Sequence, residues 1–319
     1  MFKIGIIGRS GHAGRLINIL NNKKINVISY HPKTKIILKK KIKYTNSFKE
    51  LHNCKGIIIS CPTFLHWFYL NKLKNFKGHI LIEKPAVSNI NQSKLLIPLA
   101  QKYKLKLNIN FNLRNSELIN KISKIIQNRE KFGKIVSGNI FSSHGLAFKK
   151  NYYKNWRSQK KFSKGIMEVD TVHYIDLAIA LFGNILDYKI FANKFATNKS
   201  KFNNDTITLL LKTKKIPFYI FSSYSSAFFF KLIIFGTNGI IEYDGNKITL
   251  KSPRNTFNKI GRFIAPKIKL KYKIKFEDMW RNSLIKSISE FILKIKKNKK
   301  TNYKILKQNM DAINPVFKI

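Results

Sequence analysis

The amino-acid sequence predicts two domains of different type: a doubly wound parallel α/β sheet over residues 1–115, then over residues 116–319 an α+β domain with a mostly antiparallel open sheet. Three observations carry this expectation. A glycine-rich loop between a clean strand and a clean helix opens the chain. Strand-like and helix-like segments then alternate through the first 110 residues. From about Ser116 the rhythm changes, and strands follow one another with few helices between them.

Taking the elements in order, KIGIIG (Lys3 to Gly8) is apolar, β-branched and stopped by glycine, as a buried strand would be. RSGHAGRLINILNN follows, with Leu16, Ile17 and Leu20 at helical spacing. Strand, glycine loop and helix is the Rossmann arrangement, in which backbone N–H groups and a helix N-terminus receive a pyrophosphate. Gly8, Gly11 and Gly14 form a GxxGxxG pattern rather than the commoner GxGxxG. Gly8 would make the tight turn, Gly11 would admit the phosphates and Gly14 would let the helix pack, with Arg9, Ser10 and His12 lining the loop. NVIS, GIIIS, a helix after PTFLH, HILIE, NQSKLLIPLAQKY and KLKLNINF continue the alternation. Ligands of such sheets lie beyond the C-terminal strand ends. Cys61, Pro62 and Thr63 occupy one such end, with His66 close behind, and Glu83–Lys84–Pro85 occupies another.

In the second half a helix (SELINKISKIIQN) leads to the strand IVSGNIFSS and a polar, aromatic stretch around Trp156. The helix of MEVDTVHYIDLAIALFG follows, then the strands YKIFANKF, DTITLLLKT, PFYIFSSYSS, FFFKLIIFG and GIIEYD. Strands in succession favour antiparallel pairing. WRNSLIKSISEFILKI is expected to close this domain as a long helix.

Composition narrows the function. The 319 residues carry a formal charge of +47, which suggests nucleic-acid binding at first sight. Lysine, asparagine and isoleucine are inflated together along the whole chain, however, and no basic tail, zinc pattern or RNP-like aromatic motif accompanies them. A specific nucleic-acid partner is therefore not expected. Acids are rare, 15 in all, yet Glu83, Glu168, Asp170 and Asp176 fall within two short segments. Cys54 and Cys61 form no CxxC pair and read as reduced thiols of a cytoplasmic protein. No signal-peptide pattern and no apolar run of spanning length is present, so no membrane partner is expected. The histidines lack metal-ligand spacing, and no metal is expected.

GIMEVDTVHYID places Asp170 and His173 three apart, on one face of a helix. An imidazole beside a carboxylate can exchange a proton near neutral pH. At this point the chain resembles the Gfo/Idh/MocA oxidoreductases, named for glucose–fructose oxidoreductase and inositol dehydrogenase. The likeness rests on PTFLH with His66, LIEKP, NINFNLR with Asn110, Asn112 and Arg114, YKNWR before the Asp170–His173 helix, and FGTNGIIEYDG. It implies that Lys84 contacts the substrate hydroxyl and the nicotinamide edge, that His173 is the acid/base, and that Asp170 binds substrate or supports the histidine. Asn112, Trp156 and Arg157 are the further substrate-binding candidates. The chain departs from the family in its glycine spacing and in the gap of three, not four, between aspartate and histidine. Glu168 is the alternative acid.

The expected activity is an NAD(P)-dependent dehydrogenase or reductase acting on a sugar, amino sugar, nucleotide-linked sugar or cyclic polyol. The alternative is a catalytically silent, ligand-sensing protein on the same fold. NADP(H) is favoured over NAD(H), because NVISY runs into His31, Pro32 and Lys33 with no acid for the ribose hydroxyls, and Arg9 lies in the loop. FFFKLIIF is apolar at both parities, so the late sheet is expected to form a homo-oligomer interface, most simply a dimer.

Overall fold

The computed structural model describes residues 2–197, 199 and 201–319, which divide into two compact units. The first unit comprises Met1–Phe111 together with Leu284–Phe317. Its strands are β1 (Lys3–Ile7), β2 (Asn26–Tyr30), β3 (Ile37–Lys39), β4 (Ile42–Thr45), β5 (Gly56–Ile59), β6 (His79–Glu83) and β7 (Lys106–Asn110). They form one sheet in the order β3-β4-β2-β1-β5-β6-β7, parallel except for the edge pair β3–β4. The doubly wound sheet expected from the alternation is present. Its central strands are near-continuous Ile/Leu/Val runs because helices cover both faces, so both parities are buried.

Helices α1 (His12–Asn22), α2 (His66–Lys72) and α3 (Ile90–Lys102) connect these strands. Leu16, Ile17 and Leu20 of α1 are buried as their spacing predicts, in a core with Ile4, Ile6, Val27, Ile58 and Leu81.

The second unit spans Asn112–Ser283 with Lys318–Ile319. Helices α4 (Glu117–Gln127) and α5 (Arg129–Phe132) precede β8 (Ile135–Ser143), and α6 (Val172–Phe182) follows it. Then come β9 (Ile185–Asn193), β10 (Thr206–Thr213), β11 (Pro217–Ser223), β12 (Phe229–Gly236), β13 (Ile240–Tyr243), β14 (Lys247–Lys251) and β15 (Ile268–Lys273). The sheet order is β15-β14-β13-β12-β8-β11-β10-β9, antiparallel throughout except for β8–β11. Leu209, Leu211, Phe218, Ile220, Ile140 and Leu232 point to the buried face, where Phe182 of α6 meets Phe218 at 5.4 Å between ring centroids. Helix α6 is apolar nearly all round and almost wholly buried, as such a helix must be.

The opposite face of this sheet has its own apolar ladder. In register across the strands run Lys189, Leu210, Tyr219, Asn139, Ile233 and Glu242. The next row holds Phe191, Thr208, Phe221, Phe141 and Lys231. Phe191 is 51% exposed and Leu210 49%.

The last helices, α7 (Phe276–Lys296) and α8 (Tyr303–Ile313), differ from the expected organisation, which kept 116–319 together. From Leu284 to Phe317 the chain belongs to the first unit. The reason is packing: Leu284, Ile288, Phe291 and Ile292 of α7 lie in the core with Ile4 and Leu16, and Ile295 packs against it. Gly56 admits this helix, since a Cβ there would stand 2.5 Å from Ile295 Cδ1.

Candidate active site

In the first unit the chain leaves β1 through Gly8, whose φ of 137° only glycine adopts readily. A Cβ at Gly8 would fall 2.7 Å from the Ser60 carbonyl oxygen and 2.8 Å from Ala13 Cβ, so the loop also needs glycine here for space. Gly11, with φ 59°, caps α1 and has open space beside it. Gly14 is less constrained than the sequence suggested: a Cβ there would meet only the Arg9 carbonyl oxygen, at 3.7 Å. The close packing falls to Gly8 against Ala13 instead. No side chain caps the N-terminus of α1, and its first turn has no acid. A bare N-terminus after a cramped glycine turn fits the pyrophosphate of a nicotinamide dinucleotide.

Three strand ends meet this loop. His12 Nε2 lies 2.9 Å from Glu83 Oε1, and the Asn110 amide donates to the same oxygen at 2.6 Å. Ser287 of α7 donates in turn to Asn110 Oδ1. Burial alone would raise the Glu83 carboxyl, but the His12 imidazole, the Asn110 amide and the Lys84 ammonium hold it below the usual carboxylate range. Glu83 is thus a buried carboxylate that pins the start of α1 to the end of β6. Lys84 follows it directly, and the Lys84–Pro85 peptide is cis.

His66 has a different place from the cofactor contact suggested by sequence. It is 1% exposed, with Nδ1 2.9 Å from the Pro85 carbonyl oxygen and Nε2 2.9 Å from that of Cys61. It ties the two strand ends together. Burial pushes the Cys61 thiol up to about 12, so it stays protonated at neutral pH. Thr63 is buried and Pro62 half-buried, while Ser10 and Lys33 are exposed. Arg9 sets its guanidinium 5.5 Å above the Tyr44 ring of β4, the strand beside β2.

In the second unit Asp170 lies in a π-turn, Met167–Thr171, that runs straight into α6. Turns of this kind are rare and concentrate at functional sites. The structure pairs Asp170 not with His173 but with His144, whose Nε2 lies 3.1 Å from Asp170 Oδ2. His173 is 6% exposed and packs edge-on against Trp280, with centroids 5.0 Å apart. Glu168 accepts from the Lys164 backbone N–H at 2.8 Å and is buried, holding its own turn. Asp176, 1% exposed, receives a two-pronged contact from Arg114, Nε to Oδ2 and Nη2 to Oδ1, each 2.7 Å. Asn112 donates to Ser283 Oγ at 2.7 Å and is buried. Trp156 and Arg157 stack on each other, the guanidinium 4.6 Å from the ring centroid, and both are half-buried.

Sequence reasoning missed His144 and Tyr224. His144 follows the last residue of β8 and Tyr224 the last of β11, and the parallel pairing of those strands brings the rings to 4.8 Å. Among the described residues, no group of three or more His, Cys, Asp or Glu could hold a metal ion, and no helix is long and apolar enough to cross a membrane.

Comparison with known proteins bears on the family and the fold. Residues 124–314, more than half of the chain, match the model of an oxidoreductase family's C-terminal alpha/beta domain. Glucose-6-phosphate 3-dehydrogenase of Bacillus subtilis is 25% identical over 192 residues, covering 57% of this chain and 54% of that protein. The chain therefore matches about half the length of that relative. Among solved structures, an oxidoreductase from Agrobacterium radiobacter in complex with NAD+, L-tartaric acid and magnesium superposes with a TM-score of 0.79 at 14% identity, over 99% of this chain and 94% of the other. Levoglucosan dehydrogenase in complex with NADH and levoglucosan gives 0.79 at 13%, over 99% and 97%.

Proposed function

Since the chain belongs to the Gfo/Idh/MocA oxidoreductase family, we propose that it transfers a hydride between a nicotinamide cofactor and a carbinol or carbonyl carbon of a carbohydrate or cyclic polyol. One observation carries this reading. Within the first unit, Glu83 links the glycine loop, through His12, to the strand end that bears Lys84. A mere nucleotide-binding fold has no need to couple its phosphate loop to a lysine. The sugar names of two relatives, glucose-6-phosphate 3-dehydrogenase and levoglucosan dehydrogenase, support the substrate class.

The nicotinamide, when bound, supplies the hydride donor or acceptor. Gly8, Arg9, Ser10, Gly11 and the bare start of α1 would hold its phosphates. Lys84 would hold the reacting oxygen through Nζ and share its proton, while His173 serves as the proton-transfer group of the second unit. NADP(H) is our preferred form: β2 ends on Tyr30 and is followed by His31 without an acid, Lys33 comes next, and Arg9 rests over Tyr44 on the strand next door. The open face of the second sheet, with Leu210, Tyr219 and Phe221 in register with Asn139 and Phe141, would join two copies about a twofold axis.

Fluorescence titration with NADH and NADPH, followed by turnover on D-glucose 6-phosphate, levoglucosan, L-sorbose and myo-inositol, tests the proposal. Binding of a reduced cofactor and turnover of at least one of these compounds are expected. Absence of cofactor binding would overturn it, and tighter binding of NADH than of NADPH would overturn the NADP(H) preference alone.

A further inference from the structure

Between β14 and β15 the chain makes a small hairpin that carries its own hydrogen bonds. Phe257 and Phe263 face each other across it as an antiparallel bridge, with ring centroids 5.1 Å apart. The Ile264 N–H donates to the Thr256 carbonyl at 3.1 Å, and Thr256 Oγ1 donates back to the Ile264 carbonyl at 2.7 Å. At the tip the Asn258 side-chain oxygen accepts from the backbone N–H groups of Ile260 and Arg262, at 3.1 and 2.9 Å. Gly261 turns the chain there with a φ of 77°. Backbone bonds, not burial, hold the segment, and what it holds out is apolar. Phe257 is 50% exposed, Ile260 72%, Phe263 85% and Ile264 49%, with Ile268 at the start of β15 at 53%. Clustered apolar exposure of this kind marks an interaction surface. The charge around it is one-sided. Residues 251–275 contain nine lysines and arginines and no acid, about twice the chain's average density of cations. Arg254 and Lys267 flank the hairpin, Lys259 and Arg262 sit at its tip, and Lys269, Lys271 and Lys273 line β15, an edge strand. All seven are exposed.

We propose that this hairpin docks on the surface of an anionic lipid bilayer. Its isoleucines and phenylalanines enter the boundary between headgroups and acyl chains, and its cations meet the lipid phosphates. The apolar and cationic halves of the patch select this partner together. With 15 acids among 319 residues, a second copy of the chain has few carboxylates to set against nine cations. Nucleic acid would satisfy the cations and stack on the phenylalanines, but it offers nothing to Ile260 and Ile264. A protein groove has to be shaped in advance around a convex tip, whereas the bilayer boundary is fluid and admits one. The contact is peripheral and needs no spanning helix, and the described residues contain none. It is independent of the oxidoreductase reading.

Sedimentation of the full chain with lipid vesicles tests the proposal. One set of vesicles is phosphatidylcholine alone, and the other carries phosphatidylglycerol as roughly a third of its lipid. The salt is about 0.15 M, which screens charges more than about 8 Å apart. Binding to the anionic vesicles and little binding to the neutral ones is expected. Ile260→Ser with Phe263→Ser leaves every charge in place and should weaken that binding at least about tenfold, less than full burial of both side chains would supply. Circular dichroism of this double variant should match that of the natural chain. Phe263→Trp reads depth: its added emission should move to the blue on anionic vesicles and be quenched by lipids brominated along their acyl chains. Equal sedimentation of the double variant and the natural chain overturns the proposal, because charge alone would then carry the binding. An unshifted, unquenched emission from Phe263→Trp overturns it too, and decides the matter if the double variant fails to fold. A halved mass of the double variant in light scattering without lipid would assign the hairpin to a contact between copies and sink the proposal. Loss of polyuridylate binding in the double variant, with no vesicle binding by the natural chain, would sink it in favour of nucleic acid.

Discussion

At the residue scale, the signal that singles out Lys84 is local: a strand ending in Glu-Lys-Pro after a glycine loop. Lys84→Met should lower turnover by at least about a hundredfold, the usual contribution of a positioned proton-transfer group. Cofactor affinity, measured by fluorescence titration, should change far less. His173→Ala tests the same role in the second unit, and near-normal turnover there would remove His173 from the mechanism. Glu83 was named as a cofactor contact, but its structural partners, His12 and Asn110, lie 71 and 27 residues away. No spacing in the sequence announces such a meeting. Because the Glu83 carboxyl titrates below the ordinary 4.5 in the folded chain, its stabilisation is fully present above 4.5 and fades as pH falls through that lower value. Glu83→Gln should therefore be less stable than the natural chain near neutral pH. In strong acid the gap between their urea midpoints should narrow; a gap independent of pH would contradict this.

At the element scale, α6 shows what periodicity reveals and what it hides. Its apolar residues announced a buried helix, and it is one. The π-turn ahead of it was invisible, since one additional residue in a turn leaves no compositional trace, and it sends Asp170 towards β8 rather than towards His173. The other anchor of α6 was also unforeseen: Asp176, one of the four acids gathered in two short segments, holds Arg114 in a buried two-pronged ion pair. Removing one partner strands a buried charge, so Arg114→Ala should cost about 3–5 kcal/mol of stability. Urea denaturation measures this, and a loss within experimental error would show that Asp176 finds another partner.

At the scale of the whole molecule, both sheets were legible because strand number and alternation are written in hydrophobic runs. The path of the 34 residues 284–317 was not, because an amphipathic helix does not state which core it joins. The apolar ladder on the second sheet leads us to expect a dimer at moderate salt. Leu210→Lys with Phe221→Lys should halve the mass seen by light scattering, and a natural chain already monomeric there would refute the interface. With a formal charge of +47, low ionic strength should loosen the dimer. The return of Leu284–Phe317 to the first unit has one more consequence, in the order of synthesis. The N-terminal strands leave the ribosome first, but the helix that covers Ile4, Leu16 and Ile58 is made last. At ordinary elongation rates the intervening 172 residues, 112 to 283, take on the order of ten seconds or more. For that interval the nascent glycine-loop sheet waits with one apolar face uncovered, while the second unit, whole in sequence except for its last two residues, is already free to fold.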